Sequence, residues 1–160
     1  MRSLRGFTLI ELMIVIAIIA IIAAIAIPNL IQARKHGNEA SAIGALKTLA
    51  TSEAIFREGD KEQDGNLDYG MLSELSTTKL IDSVLGSGTK QGYLFQAVYG
   101  FSTSEFLWFG VANPAIAGTT GDRYFTTNHG GALFYTTGAA LAVDTNTCLL
   151  PQAGVQTVGR

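Results

Sequence analysis

The chain has 160 residues, 48% of them hydrophobic and 15% charged, with a formal net charge of −2. That length holds one domain. The high hydrophobicity excludes a disordered chain, and the lack of a basic excess argues against a nucleic-acid binder. The average conceals an asymmetry: Phe7 to Ile31 carries 21 apolar residues in 25, whereas from Gln32 onward about 41% are apolar, close to ordinary globular usage. The single cysteine, Cys148, cannot make an intramolecular disulfide and reads as a small apolar filler.

Between Phe7 and Ile27 only Thr8 and Glu11 are polar. As a helix this stretch reaches about 31 Å, enough to cross a hydrocarbon layer while satisfying its own backbone. Arg2 and Arg5 precede it and predict a cytoplasmic N-terminus with the remainder across the membrane. Ala20, Ala23, Ala24 and Ala26 imitate a signal-cleavage site, but the helical pattern continues past Asn29 with no loop. Glu11 is foreign to a plain anchor. A carboxylate inside an apolar span is costly and calls for a cation, which this reading expects from outside the chain.

The run Arg5-Gly6-Phe7-Thr8-Leu9-Ile10-Glu11-Leu12, followed by the apolar stretch and Pro28, resembles the N-terminus of a type IV prepilin. The resemblance implies cleavage between Gly6 and Phe7 by a prepilin peptidase, which also N-methylates Phe7. It implies that Thr8, Glu11 and Pro28 serve assembly, with Glu11 pairing with the new amino group of a neighbouring subunit and so setting axial register. Cleavage would remove Arg2 and Arg5 and leave a charge of −4. Pro28 should kink or locally melt its helix, since it lacks a donor and clashes with the preceding turn.

From Asn29 to Glu58 the pattern turns amphipathic, with Ile43, Leu46, Leu49, Ala50 and Ile55 on one face and Lys47, Ser52 and Glu53 between them. Gly37 and Gly44 allow bending or close neighbours, Gly59 is the expected C-terminal cap, and His36 sits on a solvated face. Together with the apolar stretch this predicts one helix of about 50 residues, some 75 Å long.

Eight acids and three bases lie between Glu53 and Asp82. Asp60, Glu62, Asp64, Asn66 and Asp68 fit positions 1, 3, 5, 7 and 9 of a calcium loop, with Gly65 at the tight turn, while Met71 stands where the final glutamate would be. The loop is thus a candidate calcium site or a solvated acidic turn.

Beyond it, Tyr69 to Val84 reads as a loop and short helix. Strand-like runs follow at Gly92–Phe101, Glu105–Ala112, Arg123–Asn128 and Ala132–Thr136, joined by short turns that favour an antiparallel meander. The aromatic residues in these runs predict core packing and subunit contacts. His129 reads as an exposed turn residue, and no catalytic motif is evident.

The expected fold is therefore α+β: a leader (1–6), a membrane and polymerisation helix (7–28), its amphipathic continuation (29–58), and an antiparallel-sheet head (59–160). The expected function is a non-enzymatic subunit of a homo-oligomeric type IV pilus-like filament, serving adhesion, motility or DNA uptake. It would span the inner membrane through its N-terminal helix, with the head periplasmic, until a pilus or secretion assembly platform there builds it into an extracellular pilus or a periplasmic pseudopilus. The alternative is a type II secretion pseudopilin. Against it, the chain lacks the Tyr-Pro segment and the Asp-Pro-Trp-Gly loop usual in the major pseudopilins, as it lacks the paired C-terminal cysteines of many pilin heads.

Overall fold

A computed structural model describes residues 6–61, 65–99, 106–141, 143 and 154–158. In chain order they form α1 (Leu9–Glu58), α2 (Leu72–Thr77), α3 (Ser83–Gly86), β1 (Thr89–Lys90), β2 (Tyr93–Tyr99), β3 (Trp108–Pro114), β4 (Arg123–Asn128), β5 (Leu133–Thr137) and β6 (Gln156–Thr157). The chain divides into two compact units, Met1–Arg34 and Lys35–Arg160, and α1 contributes to both. The class is α+β.

The described part of the first unit is helical from Leu9 onward, with exposed Ile, Leu and Ala side chains around the rod. Pro28 lies inside α1, and the helix runs through it. The expected melting is absent, because proline deletes one backbone bond while the turns on either side keep theirs.

The second unit packs the C-terminal part of α1 against one face of a six-stranded sheet whose order follows the sequence, β1 to β6, every neighbouring pair antiparallel. The meander is as expected. β4 matches its sequence reading, while β3 lies downstream of the expected run, at Trp108–Pro114. Two short strands, β1 and β6, escaped the sequence, as did the second of the two short helices between α1 and the sheet. β1 turns into β2 through Gln91 and Gly92, both at positive φ (47° and 73°), the two-residue hairpin turn that suits strand twist. Phe101 and Glu105, the ends of two expected strands, lie outside the described residues.

On α1 the buried positions include Lys35, Glu39, Ala42, Leu46, Leu49, Glu53 and Phe56. Their spacing alternates four and three, so they form one stripe along the helix. Ser52 and Glu53 thus belong to the buried face, contrary to the amphipathic reading, and Ile55 is 45% exposed. The core joins this stripe to Leu72, Leu75, Ile81, Leu85, Tyr93, Phe95, Trp108, Ala112, Phe125 and Leu133. Gly110 lets Leu49 approach β3: a Cβ there would lie 3.0 Å from Leu49 Cδ2. Of the aromatic set, Phe109 is also buried while Phe106 is 62% exposed. At the helix end the left-handed residue is Asp60 (φ 40°) rather than Gly59, so the glycine is not the expected cap. A Cβ at Gly37 or Gly44 would meet nothing within 4 Å among the described residues.

Candidate functional site

The helix begins with a reciprocal cap. Thr8 N–H donates to Glu11 Oε2 at 2.8 Å, the Thr8 hydroxyl donates to the same oxygen at 2.7 Å, and Glu11 N–H returns a bond to Thr8 Oγ1 at 3.3 Å. The first turn of any helix leaves amides without partners, and a Thr-x-x-Glu box satisfies two of them. Its negative charge also suits the positive end of the helix dipole. Glu11 therefore has hydrogen-bond donors within its own chain, both of them on Thr8 and neither a cation. Gly6 and Phe7 precede the cap; both are exposed, and Gly6 has open space around it. From Leu9 to Ile31 every large apolar side chain of α1 is exposed. This stretch is long and apolar enough to cross a membrane.

The second anchoring region was not visible in the sequence. Lys35 Nζ bonds both oxygens of Asp122 at 3.1 and 3.2 Å, and Asn38 Nδ2 donates to the Thr120 carbonyl at 2.9 Å. Glu39 Oε1 accepts the amides of Asp122 and Arg123 at 3.0 and 3.3 Å, while Oε2 accepts Arg123 Nε at 2.8 Å. Burial would raise the Glu39 carboxyl, but the Asp122 amide and the Arg123 guanidinium outweigh it and hold it below the usual carboxylate value. His36 Nδ1 lies 3.8 Å from Glu39 on an otherwise solvated side chain. Arg123 in turn covers the rings of Phe125 and Tyr135, 5.4 and 5.3 Å from their centroids. Tyr93 Oη donates to the Arg123 carbonyl at 2.9 Å. The network fixes the β3–β4 loop on one stretch of α1. Its signal in the sequence was the four-three spacing of Lys35, Glu39, Ala42 and Leu46, masked by the charges.

Glu53 is the other buried acid. It is fully enclosed, its Oε2 accepts Gly70 N–H at 3.1 Å, and Oε1 has no hydrogen-bond partner among the described residues. Burial, reinforced by the charge of Glu74, pushes its carboxyl up to about 8.

Of the candidate calcium ligands, Glu62 and Asp64 lie outside the described residues, as does Cys148. Asp60 Oδ2 accepts Gly65 N–H at 3.2 Å; Asn66 and Asp68 are engaged in interactions of their own. Among the described residues no three His, Cys, Asp or Glu side chains come together as a metal site. His129 is exposed in the β4–β5 turn, where Gly131 takes positive φ (71°) and its amide bonds the Asn128 carbonyl.

Residues 1–27 match the family described as the prokaryotic N-terminal methylation motif. The chain is 40% identical over 97 residues to the type IV major pilin protein PilA of Myxococcus xanthus, covering 60% of this chain and 39% of that one. It is 44% identical over 66 residues to the type IV wide pilus major component PilA4 of Thermus thermophilus, covering 41% of this chain and 50% of that one. The chain thus spans half or less of the length of these curated relatives. No solved structure matches. A methylation motif on residues 1–27, which takes in most of the exposed apolar stretch of α1, and similarity over part of the chain to two type IV major pilins are thus what this chain shares with the type IV pilins.

Proposed function

We propose that this protein is a structural, non-catalytic subunit of a type IV pilus-like filament that assembles through α1. The observation that carries the reading is the methylation motif on residues 1–27, which takes in most of an apolar helical stretch, Leu9 to Ile31, whose large side chains are all exposed. Such a surface is stable only in lipid or against copies of itself. Before assembly the helix spans the inner membrane, with the N-terminus cytoplasmic and the head across it. A prepilin peptidase cuts between Gly6 and Phe7 and methylates Phe7, and an assembly platform then extracts the subunit. The Thr8–Glu11 box survives that cut, because both residues lie downstream of it. In the filament Glu11 shares its carboxylate with the Phe7 amino group of a neighbour, which fixes axial register because one stagger neutralises both charges.

Both relatives are named as pilus components, which favours the pilus over the secretion pseudopilin. The test is intact mass on purified filaments. Subunits should lack Met1 to Gly6 and carry one methyl group on Phe7; filaments built from uncut subunits would overturn the reading. Calcium at Asp60, Glu62, Asp64, Asn66 and Asp68 is a separate proposal that rests on the spacing of oxygen donors. Calcium titration with thermal melting tests it, and an unchanged melting temperature would refute it.

A further inference from the structure

Two residues of α1, one turn apart, hold the segment 65–71 that leads into α2. Arg57 Nε donates to the Leu67 carbonyl at 3.2 Å, and its guanidinium lies 5.5 Å over the Tyr69 ring. Glu53 takes the Gly70 amide. Gly70 is pressed so closely on α1 that a Cβ there would lie 2.8 Å from Phe56 Cε1. The next residue, Met71, caps α2, its amide bound by Glu74 Oε2 at 2.6 Å. The Glu53–Gly70 bond therefore sits where the linking segment becomes a helix, and Leu72 and Leu75 of that helix are buried in the core.

A neutral carboxyl suits this pocket and a carboxylate does not. Glu53 has no exposed surface, one of its oxygens is unpartnered among the described residues, and its bond comes from an uncharged amide. An ionised group in such a place must gain water or a cation. Among the described residues its only hydrogen-bond donor is the Gly70 amide, and no cation is paired with it. Arg57 is turned to Leu67 and Tyr69. The linking segment brings Asp68 and Tyr69, and α2 brings Glu74, whose like charge opposes ionisation. The turn that bonds Ser52 through the Leu80 carbonyl carries Lys79 and also Asp82, which pairs with Lys90. β3, which supplies Trp108 against Tyr69, contains no titratable residue.

We propose that Glu53 is a proton-operated latch: its protonated carboxyl holds the 65–71 segment and α2 against α1, and loss of that proton to solvent releases them. Release lets water reach the carboxylate and uncovers Tyr69, Leu72 and the Trp108 face that Tyr69 covers. The latch gives the head two states at one covalent structure, separated by a single proton.

Trp108 is the only tryptophan of the chain, is buried, and has its ring centroid 6.0 Å from that of Tyr69, so it reports docking directly. The experiment follows Trp108 emission and its quenching by acrylamide in the full chain in detergent micelles, from about pH 6 to about pH 9.5. The wild type should show a red shift and a rise in quenching centred near pH 8. Glu53→Gln keeps an acceptor for Gly70 but cannot ionise, and its curve should be flat. A transition of unchanged midpoint in Glu53→Gln, or a flat wild-type curve, would overturn the latch. Where Glu53→Gln fails to fold, Glu74→Gln decides: removing the like charge should move the midpoint to lower pH, and an unmoved midpoint refutes the assignment.

Discussion

The Glu39 carboxylate grips Arg123 twice through one oxygen, Oε2 lying 2.6 Å from Nη2 and 2.8 Å from Nε. The other oxygen takes the two backbone amides at the point where β4 begins. One side chain of α1 therefore decides both where the β3–β4 loop ends and how the strand behind it meets the helix. The grip is costly to break from one side, because the carboxylate is almost wholly buried and its partners would be left with unmet donors.

Glu39→Ala should accordingly destabilise the protein by about 2–3 kcal/mol, below the full cost of a buried pair because the Arg123 side chain is one-third exposed. Thermal melting of the full chain in micelles measures this. A loss under about 0.5 kcal/mol, the size of an ordinary surface change, would show that the network adds little.

That network also marks the boundary of what sequence reading reaches. The apolar rod and its acidic exception were legible because twenty nearly uninterrupted apolar residues have few physical interpretations. The strands were legible because short turns flank aromatic and β-branched runs, and Arg123–Asn128 fell where expected. The buried stripe of α1 was not, because Lys35, Glu39 and Glu53 sit in it at core spacing and their charge disguises their position. Each is made tolerable by a partner far along the chain: Asp122, Arg123 and Gly70 respectively. Only the folded chain shows those pairings. Ile55 was misplaced for the mirror reason, an apolar residue standing just off the stripe. β1 and β6 have two residues each, too few to show a period.

Gly121 tests the same region by sterics. A Cβ there would lie 2.0 Å from Tyr93 Oη, the hydroxyl that bonds the Arg123 carbonyl. Gly121→Ala should cost about 1–3 kcal/mol, the usual penalty for overfilling a packed site. Tyr93→Phe removes the nearest clashing atom and leaves the ring carbons Cζ and Cε2 at 2.7 and 2.9 Å, so the double variant should lose somewhat less than the two single losses added together. Strict additivity in denaturant unfolding would mean that the two residues do not compete for that space.

The two buried acids predict opposite limbs of the pH–stability curve. Glu39 is held below its unfolded value, so its stabilisation is present above about pH 4.5 and is lost as pH falls through the folded value. Glu53 is raised to about 8. Between the unfolded value of 4.5 and that point the folded state binds the extra proton, so stability falls as pH rises, by at most about 1.4 kcal/mol per pH unit. The maximum should lie in mildly acidic solution. Glu39→Gln should flatten the acid limb and Glu53→Gln the alkaline one, as read by melting temperature across the range. A wild-type chain equally stable at about pH 5 and pH 8 would contradict the Glu53 assignment.

The Thr8–Glu11 box lets the cap that Glu11 forms be separated from the assembly role proposed for it. As a cap, Glu11 needs an acceptor oxygen, which glutamine also offers at this position of a capping box. As the proposed partner of a neighbour's amino group it would need a negative charge. Glu11→Gln should therefore leave the helix starting at Leu9, with amide exchange of Leu9 to Leu12 unchanged in micelles, while filament formation is lost. Thr8→Val should do the reverse to the helix: it deletes the hydroxyl that bonds Glu11 in both directions, so exchange in the first turn should speed up with the charge intact. If Glu11→Gln frays the first turn as much as Thr8→Val does, its failure to assemble would trace to the cap rather than to the missing charge.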